Sequence, residues 1–234
     1  MLDRKFWEKY FAVYDILNEL STYQELGDKI IDELDIERGD KILDLGSGTG
    51  NIALKAKKKG AEVIGIDSSP EGVKIHKEKM PDSEIILGDI TEKLPFEGGF
   101  FDKIYSSNVI YTIPEEKRKF VFDELYRIIK PGGIIVISNP KIGFKPLAIY
   151  LDHVKKEIKE RGFFLTFIKG LKLMIPTIKM FYYNIKIKRE NKGGDYRFME
   201  PNDQKNYLTQ AGFKNISENK SVYADQAILN KAEK

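Results

Sequence analysis

Three acids sit where short apolar runs end. Asp44 lies within Lys41-Ile42-Leu43-Asp44-Leu45, Asp67 closes Glu62-Val63-Ile64-Gly65-Ile66-Asp67, and Asp89 follows Glu84-Ile85-Ile86-Leu87-Gly88. Apolar runs of this length bounded by turn residues read as buried strands. Acids at the ends of such strands can face a shared ligand, holding a cation or accepting from hydroxyls. The first run leads into Gly46-Ser47-Gly48-Thr49-Gly50, and a helix-like pattern resumes at Ile52. Glycines admit positive φ and let a ligand approach without a Cβ in the way. The helix that follows presents unpaired N–H groups. The spacing fails the dinucleotide fingerprint G-x-G-x-x-G, because Asn51 stands where its third glycine would be. Asp67 falls 21 residues after Gly46. An acid about 20 residues on can take both ribose hydroxyls. The plainer alternatives are a glycine turn without a ligand and, for Asp67-Ser68-Ser69, a helix N-cap ahead of Pro70.

Asp-x-Gly-x-Gly-x-Gly after a strand resembles the first motif of the class I S-adenosylmethionine (SAM) methyltransferases. Pro95-Phe96 followed by Phe101-Asp102, and Leu125-x-Arg127-x-x-Lys130-Pro131-Gly132-Gly133, are similar to further patterns of that family. Tyr14-Asp15-Ile16-Leu17-Asn18 resembles the Tyr-Asp-x-x-Asn of its ubiquinone and menaquinone branch, where the segment lies over cofactor and substrate. It can equally be an ordinary helix with an aromatic core stripe. The resemblance implies an α/β fold: a doubly wound, seven-stranded, mostly parallel sheet of order 3-2-1-4-5-7-6. It implies SAM as cofactor, held by Asp44, Gly46, Ser47, Gly48, Asn51, Asp67, Ser68, Asp89, Ile90, Ser106 and Asn108. Within this set Asp89 would accept the adenine amino group and Ile90 would pack on the ring. Many family members carry a histidine where Tyr111 stands, so the resemblance does not carry over a histidine base. Candidates for a catalytic role are Tyr14, Tyr111, His153 and Tyr196, and none of them stands out. His76 is expected on an exposed helix face with a structural role.

These residues need elements to position them. An amphipathic helix is expected over 3–20 and a second over 24–34. Helix 52–59 stops at Gly60 with lysines in its last turn. Strands are expected at 84–90, 103–107 and 134–138, the last after a tight turn at 130–133, and helix 115–129 precedes that turn. A helix at 202–211 and strands at 214–218 and 223–229 would complete the sheet. The reaction crevice of such a sheet lies beyond the strand carboxyl ends at the switch point. The expected organisation is one domain: 1–140 for the N-terminal helices and cofactor core, 141–195 for an inserted cap, and 196–234 for the end of the core.

Composition is ordinary for a folded protein, with 41% hydrophobic and 32% charged residues. With no cysteine and only His76 and His153, a thiolate or histidine metal cluster is not expected. The abundance of Lys, Glu and Ile has a thermophile flavour. The N-terminus lacks a signal-peptide core and no run suits a spanning helix, so a cytoplasmic protein is expected. The net charge of +3 is uneven: residues 141–190 hold 12 Lys/Arg against four Asp/Glu. That segment interleaves lysines with aromatics and aliphatics, and Pro176 should break or kink it. Three roles are open: packing with lysines in water, capping an apolar substrate or meeting a membrane interface, and stacking on nucleic acid. The last has no recognisable RNA-binding domain behind it.

The expected function is methyl transfer to an apolar or amphipathic small molecule, lipid- or quinone-like. The alternatives are a small polar amine or acid, or a non-catalytic partner protein built on the same fold. The sequence does not specify an oligomeric state.

Overall fold

The computed structural model describes residues 4–192 and 198–234. Seven strands form one sheet in the order β3-β2-β1-β4-β5-β7-β6. They are β1 (Lys41–Leu45), β2 (Glu62–Asp67), β3 (Glu84–Leu87), β4 (Phe101–Ser107), β5 (Ile129–Pro140), β6 (Lys220–Val222) and β7 (Ala227–Glu233). The first five are parallel to one another, and β7 runs antiparallel between β5 and β6. Ile42, Leu43, Leu45, Ile104, Ile135 and Ile137 are fully buried. Continuous apolar runs of this kind suit parallel strands covered on both faces.

The helices are α1 (Arg4–Tyr14), α2 (Ser21–Leu34), α3 (Asn51–Lys58), α4 (Pro70–Lys79), α5 (Glu115–Ile128), α6 (Pro146–Arg161), α7 (Phe163–Lys192) and α8 (Asp203–Ala211). One core cluster packs β1, β4 and β5 against α5 and α8 through Phe122, Leu125 and Leu208, and a second packs α2 and α3 on the other face through Ile30, Leu34 and Ala53. The switch point falls between β1 and β4, where the order reverses.

The elements depart from expectation in five places. The first helix ends at Tyr14, and Asp15–Glu19 is a 3-10 turn. The Asp15 carboxylate is drawn sideways to Thr49 and Lys79 instead of continuing the helix. Strand β3 stops at Leu87, which leaves Asp89 and Ile90 in the turn beyond it. Strand β5 starts at Ile129, so Lys130-Pro131-Gly132-Gly133 lies inside it as a register irregularity opposite Phe101–Lys103. Gly133 is required there, since an added Cβ would lie 2.8 Å from the Asp102 carbonyl oxygen. The last hairpin is shifted, with β6 at 220–222 and β7 at 227–233. Tyr223, Ala224 and Asp225 all take positive φ in its turn, a conformation for which no glycine or asparagine gave notice. Finally, α7 runs through Pro176 as one helix. An interior proline costs roughly 3 kcal/mol, and burial of Met180 and Ile187 on the same helix opposes that cost.

Helices α6 and α7 occupy the segment expected as a cap. The chain leaves the sheet at Pro140 and returns at Met199. Met199 N–H donates to the Pro140 carbonyl and Ile142 N–H to the Met199 carbonyl, at 3.2 and 3.0 Å.

Candidate active site

A cavity of about 460 Å³ opens at the switch point, beyond the carboxyl ends of β1, β2 and β4. At one end lies the glycine loop. Gly46, Gly48 and Gly50 have φ of 74°, 52° and 76°, the left-handed region that disfavours any Cβ. A Cβ on Gly46 would overlap the Val109 side chain, and one on Gly48 would lie 2.9 Å from the Phe11 ring. His76 stands under this loop, packed against Gly50 and Gly65. It is fully buried, which corrects the exposed position expected of it. Burial, helped by nearby lysines, lowers its pKa to about 4, so the imidazole is neutral packing material.

Two acids meet beside the loop. Asp67 Oδ2 accepts from Gly48 N–H and Oδ1 from Ser69 N–H, both at 2.8 Å. Each oxygen keeps a second lone pair for a ligand hydroxyl. Burial pushes the Asp67 pKa up against these backbone donors. Ser69, and not Asp67, caps α4, accepting from Gly72 N–H. Asp44 is buried, and its pKa rises to about 7, chiefly through burial and also through the charge of Asp67, while the Tyr105 hydroxyl pulls it down. A buried acid so placed favours a cationic ligand that restores its ionised form. Asp89 accepts from Thr91 N–H at 2.8 Å and lines the cavity with Ile90 and Ser68.

Asn108 takes φ 59°. Its N–H donates to the Ser138 carbonyl, and its Oδ1 is buried without a hydrogen-bond partner, as are the hydroxyls of Ser47 and Ser107. All three residues line the cavity. Buried polar atoms of this kind are normally paired. Here they stand around a cradle that only glycines leave open, between two buried acids. This donor and acceptor set fits SAM, which brings an ammonium, a sulfonium and two ribose hydroxyls.

Among the described residues expected at the site, Ser106 and His153 lie off the cavity lining, and Asn51 is engaged within the protein. Ser106 is fully buried and donates to the Leu45 carbonyl, inside the sheet. Side chains alternate along a strand, so its neighbour Ser107 is the one that reaches the cavity. Asn51 does line the cavity, but its Oδ1 accepts from Asn18 Nδ2 at 2.8 Å and Lys79 Nζ at 2.6 Å. It therefore fastens the 3-10 turn to the loop, together with Asp15, which accepts from Thr49 Oγ1 at 2.8 Å. His153 is buried away from the cavity, and its Nδ1 accepts from Ser21 N–H at 3.1 Å, tying α6 to α2. Tyr196 lies outside the described residues.

The far end of the cavity is aromatic. Tyr10, Tyr14, Tyr23, Tyr111, Tyr223 and Phe144 surround it, and Met180 and Phe181 of α7 close it. Burial raises the phenol pKa of Tyr10, Tyr14, Tyr23 and Tyr223 above its ordinary value. Tyr111 stacks on Phe198 at 5.5 Å. No lysine, arginine or histidine is among the residues that line the cavity, among the described residues. Three lysines of the basic segment are paired away from the cavity: Lys156 with Glu25 and Asp152, Lys169 with Glu19 and Glu157, and Lys141 with Asp225. Tyr23, Phe144, Met180 and Tyr223 had no signal as site residues, because they come from four separate elements and share no motif. Tyr10 gave a partial one, through the aromatic stripe of the first helix.

A family model described as a methyltransferase domain matches residues 43–137. An uncharacterized methyltransferase of Synechocystis is 29% identical over 159 residues, which covers 64% of this chain and 74% of that protein. Demethylmenaquinone methyltransferases of Paenarthrobacter aurescens and Chlorobaculum tepidum are each 33% identical, over 131 and 147 residues. The chain spans only 50% and 60% of the length of those two. Among solved structures, a SAM-dependent methyltransferase from Aquifex aeolicus superposes over 99% of this chain and 98% of its own, with a TM-score of 0.63 and 16% identity, a likeness of fold.

Proposed function

We propose that the chain is a class I SAM-dependent methyltransferase and that it methylates an apolar or amphipathic small molecule, quinone- or lipid-like, held in the aromatic half of the cavity. One observation carries this reading: the acceptor end is lined by tyrosines, Phe144, Met180 and Ile187, with no cationic side chain among the described residues. A carboxylate or phosphate acceptor would need such a cation once buried. The demethylmenaquinone methyltransferases among the relatives point to the same acceptor class.

SAM supplies an activated methyl group for in-line displacement. The residues of this chain bind and align. Asp67 receives the ribose hydroxyls while its carboxylate stays fixed by Gly48 and Ser69. Asp44 faces the positive charge. Asp89 and Ile90 hold the adenine end. The 3-10 turn 15–19 and α7 cover the site and exclude water. The phenols of Tyr10 and Tyr14 have pKa values raised by burial, so at neutral pH they donate hydrogen bonds and do not take protons. Tyr14 and Tyr111 are orienting groups on this reading.

The test is label transfer from methyl-labelled SAM to two acceptor sets, short-chain reduced naphthoquinones and small amines such as ethanolamine. Label in the organic phase supports the proposal. Label confined to a water-soluble amine product would overturn it in favour of a polar acceptor. Absence of SAM binding in titration calorimetry would favour the non-catalytic partner.

A further inference from the structure

Helix α7 has two apolar faces. The inner one, with Thr177, Met180, Phe181, Asn184 and Ile187, lines the cavity. The outer one has no partner among the described residues. Phe164, Leu171, Ile175, Ile178 and Tyr182 follow one another at spacings of three, four or seven, which places them on one side of the helix. Their exposures run from 55% to 71%. Nine large apolar side chains of α7, among the described residues, are at least half exposed. They leave on the order of 1,000 Å² of apolar surface in water, against roughly 300–600 Å² for the largest patch of a typical monomer.

Charge selects the occupant. Helix α7 carries six lysines and one arginine against a single glutamate. Lys179 and Lys186, seven residues apart, are exposed along one border of the outer stripe. Lys155 and Lys159 are exposed near the end of α6, just before Phe163. A second copy seated on this face would set two such cationic helices side by side. An anionic surface would neutralise them. No helix among the described residues is long and apolar enough to cross a membrane, and α7 is held lengthwise by its inner face.

We infer that the outer face of α7 is a docking surface for an anionic lipid bilayer, with the helix lying in the interface plane and its aromatic and aliphatic side chains among the acyl chains. This goes beyond the methyl acceptor, and its test reads lipid partition instead of methyl transfer.

The experiment is flotation of the full chain with vesicles of phosphatidylcholine, with and without phosphatidylglycerol. Binding to the anionic vesicles is expected, at least about tenfold stronger than to neutral ones. Combined replacement Phe164→Glu, Ile175→Glu and Ile178→Glu should abolish binding and leave the Kd for SAM unchanged, which reports an intact fold. Lys155→Glu with Lys159→Glu should weaken binding by about tenfold or more. The inference is overturned if the native chain binds neither vesicle. It is also overturned if the apolar triple variant still floats, which would mean charge adhesion alone. A concentration-dependent dimer in ultracentrifugation that the triple variant breaks would assign the face to a second copy.

Discussion

At the glycine-loop end of the cavity the shape is set by backbone conformation: three left-handed glycines, the N–H groups fixed by Asp67 and the turn at Asp89. At the aromatic end the walls are side chains from α1, α2, α6, α7 and the β6–β7 turn. A wall of backbone is defined by conformation, and conformation of this kind demands particular residues at particular spacings. A wall of side chains is defined by volume, and many sequences fill the same volume. The difference explains why one donor can serve many acceptors on one fold.

The sharpest way to break this contrast is Gly48→Val. The new side chain meets the Phe11 ring and a disfavoured φ, so SAM affinity should fall by more than about a hundredfold, roughly 3 kcal/mol, with the thermal transition still cooperative. Loss of folding instead would make the loop structural first. Asp67→Ala should cost on the order of 2–4 kcal/mol of cofactor affinity in calorimetry, and an unchanged Kd would move the ribose contact elsewhere. On the other side of the contrast, Met180→Ala should raise the KM for the acceptor by about tenfold and leave SAM binding alone, because only volume is lost. If it changes the Kd for SAM equally, the two ends are not separable. Tyr111→Phe keeps the stacking on Phe198 and removes one hydroxyl, so its effect on kcat should stay within about tenfold.

The smallest effect concerns protons. The Asp44 pKa is raised to about 7 in the free protein, so near pH 6 the group is mostly protonated. A cationic ligand favours its ionised form. Binding of SAM near pH 6 should therefore release close to one proton, and the release should vanish above about pH 8, where the group is already ionised. Calorimetry in buffers of differing ionisation enthalpy reads this directly. By the same linkage, Asp44 stabilises the unliganded fold at low pH and loses that contribution as pH rises toward 7, because the folded state binds the extra proton.

Much of the first half of this contrast was legible in the sequence. Asp44, Asp67 and Asp89 stand near strand ends because short apolar runs mark parallel strands, and the strand order follows from the family pattern that the sheet reproduces. The misses have physical causes. Ser106 was expected at the site and points into the sheet, while Ser107 lines the cavity, a one-residue shift that strand alternation turns into the opposite face. His76 carries no sign that its neighbours are Gly50 and Gly65, whose missing side chains make the space it fills. Tyr223 enters the cavity from a turn of three left-handed residues without a glycine, so neither the turn nor the side chain was foreseeable from local chemistry. The proline in α7 overstated its effect, because packing along a long helix outweighs one missing hydrogen bond.

The exit and return of the chain at Pro140 and Met199 have an evolutionary consequence. Backbone bonds join Pro140, Ile142 and Met199 directly, so the chain is pinned to itself at the base of the α6–α7 excursion. The helical pair is then a cassette. Its length and composition can drift, or be exchanged between homologues, without disturbing the strands that hold the methyl donor. The aromatic wall of the cavity and the exposed outer face of α7 can thus change together in one inherited module, while the strands beneath it are left as they were.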